Sequence, residues 1–181
     1  SAKALDASKQ AKLPRSYWDW RPMLDANAGF YFPYTPATNL LRGLQEALAM
    51  LEEEGLPNVF ARHARHGEAT RAAVEAWGQA GGVELQCQAP ADYSSSLTAV
   101  RLTAGHGADA LRALILERFN MSLGNGLGQL KDKVFRIGHL GDFNDLSLMA
   151  ALAGVEMGLR LSGAPCGDGG LDAAMAVLRR A

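Results

Sequence analysis

The sequence predicts an α+β fold, a small, mostly antiparallel sheet with helices on one face, preceded by long helices. Apolar residues at helical spacing run through residues 38–78 and are interrupted at Gly55. From residue 83 onward, short strand and helix patterns follow in the order β-β-α-β-β-α, which is typical of an antiparallel sheet covered by helices. With 48% hydrophobic residues, the chain has enough apolar side chains for a buried core.

The first third of the chain predicts helices joined by an ordered loop. Residues 2–10 are helix formers, whereas residues 31–36 contain two prolines, which exclude a central strand and indicate an extended loop. Thr38 or Asn39 is a candidate N-cap for a helix that Gly55 ends. One face of this helix is predicted to be apolar and to comprise Leu40, Leu41, Leu44, Leu48 and Leu51.

A second long helix is expected from Pro57 to about Trp77. Its predicted apolar face includes Val59, Phe60, Ala64 and Val74. His63 and His66 lie on the same helix among charged residues, and no Asp or Glu at ligand spacing completes a metal site with them. We therefore expect both histidines on a solvated, charged face.

The rest of the chain predicts four strands and three helices. The strands are expected at residues 83–87, 97–102, 121–123 and 134–137, and the helices at residues 108–119, 143–161 and 169–179. Asp142 or Asn144 is the candidate N-cap of the second of these helices. The glycine-rich stretch at residues 124–128 does not match the GxGxxG phosphate-binding motif, so we expect a turn between two strands there.

Composition and charge narrow the function classes. The net charge of −1 argues against a nucleic-acid surface and against a polybasic membrane patch. No apolar run reaches the roughly 20 residues that a membrane helix needs. Cys87 and Cys166 lack the spacing of a zinc site or a disulfide framework, so we expect reduced thiols and a cytoplasmic protein. Because Ser1 already opens a helical pattern, we expect the natural protein to begin earlier.

Arg136 and the loop around Thr35 are the candidates for ligand binding. Arg136 lies mid-strand beside the glycine-rich stretch, where its planar fork can bind a carboxylate through two parallel hydrogen bonds. The alternative is an ordinary arginine on the exposed face of an amphipathic strand. Tyr34 and Thr35 lie between two prolines and form a rigid, hydroxyl-bearing loop that can donate to a phosphate. His139, close to Arg136, is a further titratable group.

Four segments together resemble class V aminotransferases, in particular the serine–glyoxylate branch and its alanine–glyoxylate and serine–pyruvate relatives. They are residues 12–20 (KLPRSYWDW), 31–48 (YFPYTPATNLLRGLQEAL), 53–63 (EEGLPNVFARH) and 133–144 (KVFRIGHLGDFN). The resemblance implies the C-terminal small domain of a fold type I pyridoxal-phosphate (PLP) transferase. Residues 1–37 would then continue from a large PLP domain, and residues 38–181 would form linker helices and the small domain.

The resemblance also implies roles for individual residues. Arg136 matches the arginine that binds the substrate α-carboxylate, and Thr35 matches the threonine that reaches the PLP phosphate of the partner subunit. The family's tyrosine lies three residues before that threonine; Phe32 occupies this position here, and Tyr34 is the tyrosine adjacent to Thr35. None of the chain's lysines matches the family's Schiff-base lysine; these are Lys3, Lys9, Lys12, Lys131 and Lys133. We therefore expect no catalytic residue in this chain and no activity of the chain alone.

The implied activity is amino-group transfer from L-serine or L-alanine to glyoxylate by a PLP-dependent homodimer. One alternative is a non-catalytic association module, for which an exposed aromatic patch would comprise Trp18, Trp20, Phe30, Tyr31 and Phe32. Another is a different class V member. A cysteine desulfurase needs a reactive loop cysteine, whereas Cys87 is predicted in a strand and Cys166 near a helix end. A phosphoserine aminotransferase needs basic groups near Arg136 beyond Lys131 and Lys133.

Overall fold

The computed structural model describes residues 1–103 and 105–180. The chain divides into two compact units, Ser1–Glu53 and Glu54–Ala181, and each is described here by itself. Within the described ranges, no helix has both the length and the apolar character needed to cross a membrane.

The first unit is helical. Its helices are α1 (Ala2–Lys9), α2 (Trp20–Ala28) and α3 (Thr38–Glu54, whose last residue belongs to the second unit). Asp19 caps α2 by accepting a hydrogen bond from the backbone N–H of Arg21, and the predicted loop at residues 31–36 contains no helix or strand. None of residues 1–53 is buried, so this unit has no core of its own.

The second unit is the predicted α+β fold. Its helices are α4 (Leu56–Gly78), α5 (Ala108–Phe119), α6 (Asp145–Ser162) and α7 (Gly170–Leu178), and its strands are β1 (Val83–Leu85), β2 (Leu97–Leu102), β3 (Gly124–Asn125) and β4 (Val134–Gly138). The sheet order is β1-β2-β4-β3, and every neighbouring pair is antiparallel. Asn144 caps α6 as predicted, since its side chain accepts a hydrogen bond from the backbone N–H of Ser147.

The core lies where the helices cover one face of this sheet. Val100 on β2 is paired with Phe135 on β4, and both are fully buried together with Trp77 on α4 and Leu152 on α6. Because side chains alternate along a strand, Arg136 lies on the opposite face of the sheet from Phe135. The fold therefore presents Arg136 away from the core.

The predicted buried face of α4 was partly wrong. Val59 and Val74 are buried, but Phe60 and Ala64 are exposed, and His63 and His66 take their place in the buried face. The remaining buried positions of this helix are Gly67, Ala69, Thr70, Ala73 and Trp77. The helix therefore packs through a face that includes hydrogen-bonded polar residues, although Nδ1 of His66 has no partner among the described residues.

The third strand was predicted too early in the sequence. Met121 and Leu123 lie outside it, and β3 instead consists of Gly124 and Asn125, which pair with Arg136 and Phe135. The expected turn follows, with one 3-10 turn at Gly128–Leu130 before β4. A smaller difference concerns Cys87, which was predicted within the first strand but follows β1, whereas Cys166 lies near a helix end as predicted, shortly after α6.

Candidate functional site

Arg136 lies in the middle of β4 with a strand on either side. Its register partners are Ala99 on β2 and Gly124 on β3. Two small residues therefore flank it across the sheet, and neither brings a carboxylate. The arginine is half-buried, so part of the residue stays accessible to solvent.

The guanidinium of Arg136 is anchored at one nitrogen. Its Nε–H donates a hydrogen bond to the backbone carbonyl oxygen of Asn125 over 2.9 Å. No Asp or Glu in the described ranges forms an ion pair with it, and its two terminal nitrogens form no hydrogen bond there. A carboxylate is the natural partner for such a fork.

The glycine-rich stretch supports this arrangement without forming a phosphate cradle. A side chain at Gly126 would overlap the backbone carbonyl oxygen of Leu130, so this glycine permits a tight turn between β3 and β4. At Gly124, a Cβ atom would lie 3.1 Å from Nε of Arg136. Gly124 is a residue that sequence reasoning missed, because the pairing of β3 with β4 is not visible in the local pattern.

Thr35 and Tyr34 lie in the loop of the first unit. Thr35 is exposed, and its hydroxyl forms no hydrogen bond to another described residue. The ring of Tyr34 lies against that of Tyr17, with 5.1 Å between ring centroids, and Tyr17 in turn packs edge-on against Trp18. Through the ring of Tyr34, this aromatic cluster packs the loop against residues 17 and 18. The predicted phosphate contact and Arg136 thus belong to different units.

His139 has a structural position. It is fully buried, its Nδ1 lies 3.1 Å from the carbonyl oxygen of Ser95, and its Nε2 lies 3.1 Å from the hydroxyl oxygen of Thr98. Burial disfavours the charged ring and lowers the pKa of His139 to about 4. A neutral ring that donates from Nδ1 to Ser95 and accepts at Nε2 from Thr98 satisfies both bonds.

His63 and His66 connect α4 to distant segments instead of facing solvent. The Nδ1 of His63 donates to the carbonyl oxygen of Val59 over 2.7 Å, and its Nε2 accepts from the backbone N–H of Gly141 over 3.0 Å. Nε2 of His66 lies 2.8 Å from Oδ1 of Asp145, at the start of α6. Both imidazoles are therefore engaged in packing, and sequence spacing alone carries no signal for partners about 80 residues away.

Arg62 fixes the segment that follows β4. Its Nε and one terminal nitrogen donate to the two carboxylate oxygens of Glu54, each over 2.7 Å. Its other terminal nitrogen donates to the carbonyl oxygens of Gly141 and Phe143. This hydrogen bonding holds the pKa of Glu54 below its usual value. Unlike those of Arg136, both terminal nitrogens of Arg62 already donate hydrogen bonds within the chain.

The sequence is similar to those of known aminotransferases. No family model matches the chain. It is 46% identical over 187 residues to serine–glyoxylate aminotransferase of Methylorubrum extorquens, covering 99% of the chain and 45% of that protein. It is 45% identical over 166 residues to serine–glyoxylate aminotransferase of Arabidopsis thaliana, covering 91% of the chain and 40% of that protein.

The structure is also similar to that of a solved aminotransferase. The crystal structure of ureidoglycine–glyoxylate aminotransferase from Bacillus subtilis matches with a TM-score of 0.84 at 25% identity, over 99% of the chain and 46% of that protein. The chain therefore spans less than half the length of the relatives that it matches in sequence or in structure.

Proposed function

Because the chain belongs to the class V aminotransferases and corresponds to the C-terminal part of these proteins, we propose that it provides substrate-carboxylate recognition in a transaminase. The reaction that we propose is transfer of an amino group from L-serine or L-alanine to glyoxylate. The similarity of the chain to serine–glyoxylate aminotransferases supports L-serine and glyoxylate as substrates. Arg136 is the residue to which we assign the recognition.

The unpaired fork of Arg136 carries the proposal. Both terminal nitrogens are free of carboxylate partners within the described ranges, while Nε is held by Asn125. A substrate carboxylate that accepts two parallel hydrogen bonds from this fork is fixed in position and in rotation. Arg136 would thereby orient the bond at the substrate α-carbon that must break, which is the part of catalysis that positioning provides.

Thr35 and Tyr34 are the residues that we propose for the cofactor. PLP, when bound, supplies an electron sink for the carbanion that forms at the substrate α-carbon. The exposed hydroxyl of Thr35 fits one hydrogen bond to a phosphate oxygen, and the tyrosine pair Tyr17–Tyr34 holds its loop. We assign this contact to the PLP of a partner subunit in a homodimer. The chain alone is expected to show no transaminase activity and no lysine-dependent absorbance change on addition of PLP.

Carboxylate binding by the chain tests the assignment of Arg136. The Nε–Hε resonance of Arg136 in ¹⁵N-labelled protein is followed during titration with L-serine and with ethanolamine, which lacks only the carboxylate. We expect a response to L-serine and not to ethanolamine. In isothermal titration calorimetry, which does not depend on that resonance, Arg136→Gln should weaken L-serine binding by at least about tenfold, because hydrogen bonds between charged groups are among the stronger ones.

Arg101→Gln is the matched control for this experiment. Arg101 lies on the neighbouring strand β2, but Glu84 already pairs with it over 3.6 Å. Its loss should leave L-serine binding within about twofold, because the charge of Arg101 is already paired with that of Glu84. Equal L-serine binding by the wild-type chain and Arg136→Gln would refute the proposed role.

A second candidate function is association without catalysis. The first unit exposes large apolar side chains, including Trp18, Phe30 and Tyr31, which are 75%, 97% and 76% exposed. Patches of this kind mark protein interaction surfaces. The same surface serves a homodimeric transaminase, so association alone does not separate the two functions, whereas carboxylate binding by Arg136 does.

A further inference from the structure

We infer that Gly124 and the backbone carbonyl of Asn125 position the guanidinium of Arg136, so that a carboxylate binds across its two terminal nitrogens. This inference rests on the function proposed above, and it adds the geometry of recognition and two positioning residues. Neither residue need touch the substrate, because both act through Arg136.

Gly124 makes room for the arginine stem. A Cβ atom at this position would lie 3.1 Å from both Cβ and Nε of Arg136 and 3.5 Å from Cζ. The two separations of 3.1 Å are tighter than ordinary van der Waals contact, so the arginine would have to move. The backbone of Gly124 does not lie in the left-handed region, and alanine can adopt its conformation without strain. The need for glycine here therefore comes from Arg136.

Asn125 determines which edge of the guanidinium is available. A guanidinium can bind a carboxylate end-on through its two terminal nitrogens, or side-on through Nε and one terminal nitrogen. The carbonyl oxygen of Asn125 accepts the hydrogen bond of Nε–H over 2.9 Å. Only the end-on edge, with its two terminal nitrogens, is then available to a carboxylate. Because the acceptor is a backbone atom of β3, the orientation is set by the sheet and not by the asparagine side chain.

Anchoring at Nε also lowers the cost of binding. A free arginine side chain loses considerable rotamer freedom when it is fixed by a ligand. In Arg136 part of this freedom is already removed by the hydrogen bond to Asn125 and by the stem lying across Gly124. A variant that releases the stem should therefore bind carboxylate more weakly while keeping the same charge.

Gly124→Ala tests the inference, with Gly138→Ala as its matched control. Gly138 lies two residues beyond Arg136 on β4, and a Cβ atom there would meet nothing within 4 Å. We expect Gly124→Ala to weaken carboxylate-dependent binding of L-serine about tenfold and to shift the Nε–Hε resonance of Arg136. Gly138→Ala and Asn125→Ala should leave both readouts nearly unchanged, since Asn125→Ala keeps the backbone carbonyl.

The outcomes separate this inference from the proposed function. If Arg136→Gln abolishes the preference for L-serine over ethanolamine while Gly124→Ala leaves it intact, the positioning role is wrong and the proposed function stands. If the wild-type chain shows no such preference, the proposed function fails. In that case, hydrogen exchange of the Arg136 Nε–H in the wild-type chain tests whether Asn125 holds the guanidinium. Exchange as fast as in an unstructured arginine side chain would overturn the positioning role without any variant.

Discussion

Arg136 and Arg101 show how cross-strand neighbours decide what an arginine on a sheet does. The two lie on neighbouring strands and, by the pairing of Ala99 with Arg136, on the same face. Arg101 is paired with Glu84 across the sheet and forms an ion pair with it. Arg136 has only Ala99 and Gly124 as direct neighbours. The register, rather than the residue type, leaves Arg136 available to a ligand.

The buried ring of His139 predicts a pH dependence of stability. Its pKa is about 4 in the folded chain, compared with an ordinary value of 6.5 that applies to the unfolded chain. As the pH falls, the unfolded chain is therefore protonated first. Its contribution is complete above pH 6.5 and is lost as the pH falls from about 6.5 towards about 4. The loss is about 1.4 kcal/mol per pH unit and up to about 3 kcal/mol in total. Urea unfolding between pH 4 and pH 8 measures it.

His139→Gln is the variant that isolates this contribution. Glutamine can donate and accept hydrogen bonds but does not titrate, so the slope of unfolding free energy against pH should decrease between pH 6.5 and pH 4. Replacement of the less buried His106 by glutamine serves as the control. A wild-type His139 ring that titrates near pH 6.5 by NMR would contradict the prediction.

The histidines also show a limit of sequence reasoning at the residue scale. Charged neighbours suggested a solvated face for His63 and His66, because periodicity is judged from apolar residues. Both are buried because Gly141 and Asp145 supply polar partners from beyond β4. Such partners become visible only once the chain has folded, so a buried, hydrogen-bonded histidine has the same local pattern as an exposed one.

At the scale of elements, local signals predicted most of the second unit. The bounds of β2 and α5 are as expected. The strand β3 was misplaced because Gly124 and Asn125 have poor strand propensity, whereas Met121 and Leu123 are apolar. Pairing with Arg136 and Phe135 forms this strand in spite of propensity.

Asp132 caps α5, and we expect this cap to contribute measurably to the free energy of unfolding. The helix follows Gly107, which offers no side chain, and Oδ1 of Asp132 instead accepts from the backbone N–H of Asp109 over 2.9 Å. The carbonyl oxygen of Asp132 accepts from the N–H of Ala108 over 3.0 Å. We expect Asp132→Ala to lower the free energy of unfolding by about 1–2 kcal/mol in urea titrations, because the cap is lost and alanine is placed at positive φ.

Two further variants divide this effect into its parts. Asp132 has a φ of 58°, which glycine and asparagine tolerate better than alanine. Asp132→Asn keeps an acceptor oxygen and should lose only a few tenths of a kcal/mol. Asp132→Gly removes the cap but tolerates the backbone, so it should fall between the two. Asp132→Ala with wild-type stability would show that the contact contributes nothing.

At the scale of the whole molecule, the two units differ in how they are stabilised. The second unit has a continuous core in which Trp77, Phe135 and Leu152 are fully buried. The first has none, although Leu44 and Leu48 on α3 have the helical spacing of a buried face. The sequence predicted this apolar face correctly, but it carries no information about what covers it. The predicted domain boundary after residue 37 stays a prediction.

Self-association through the apolar face of α3 is the expected behaviour of the chain in solution. This face includes Leu41, Leu44 and Leu48, of which 50%, 54% and 51% are exposed. Burial of leucine side chains between two copies is favourable by roughly 25 cal/mol per Å² of apolar area. Sedimentation velocity should therefore show a sedimentation coefficient that rises with protein concentration. In a double variant, Leu44→Glu with Leu48→Glu, we expect this rise to disappear.

Glu46→Lys is the control for charge and helix content. Glu46 is also exposed on α3, but about 200° around the helix from Leu44, so its replacement leaves the apolar face intact. It should sediment as the wild-type chain does. A wild-type chain that stays monomeric across the concentration range, with far-ultraviolet dichroism of a folded protein, would contradict association through α3. It would leave carboxylate binding by Arg136 unaffected, because that contact lies within the second unit.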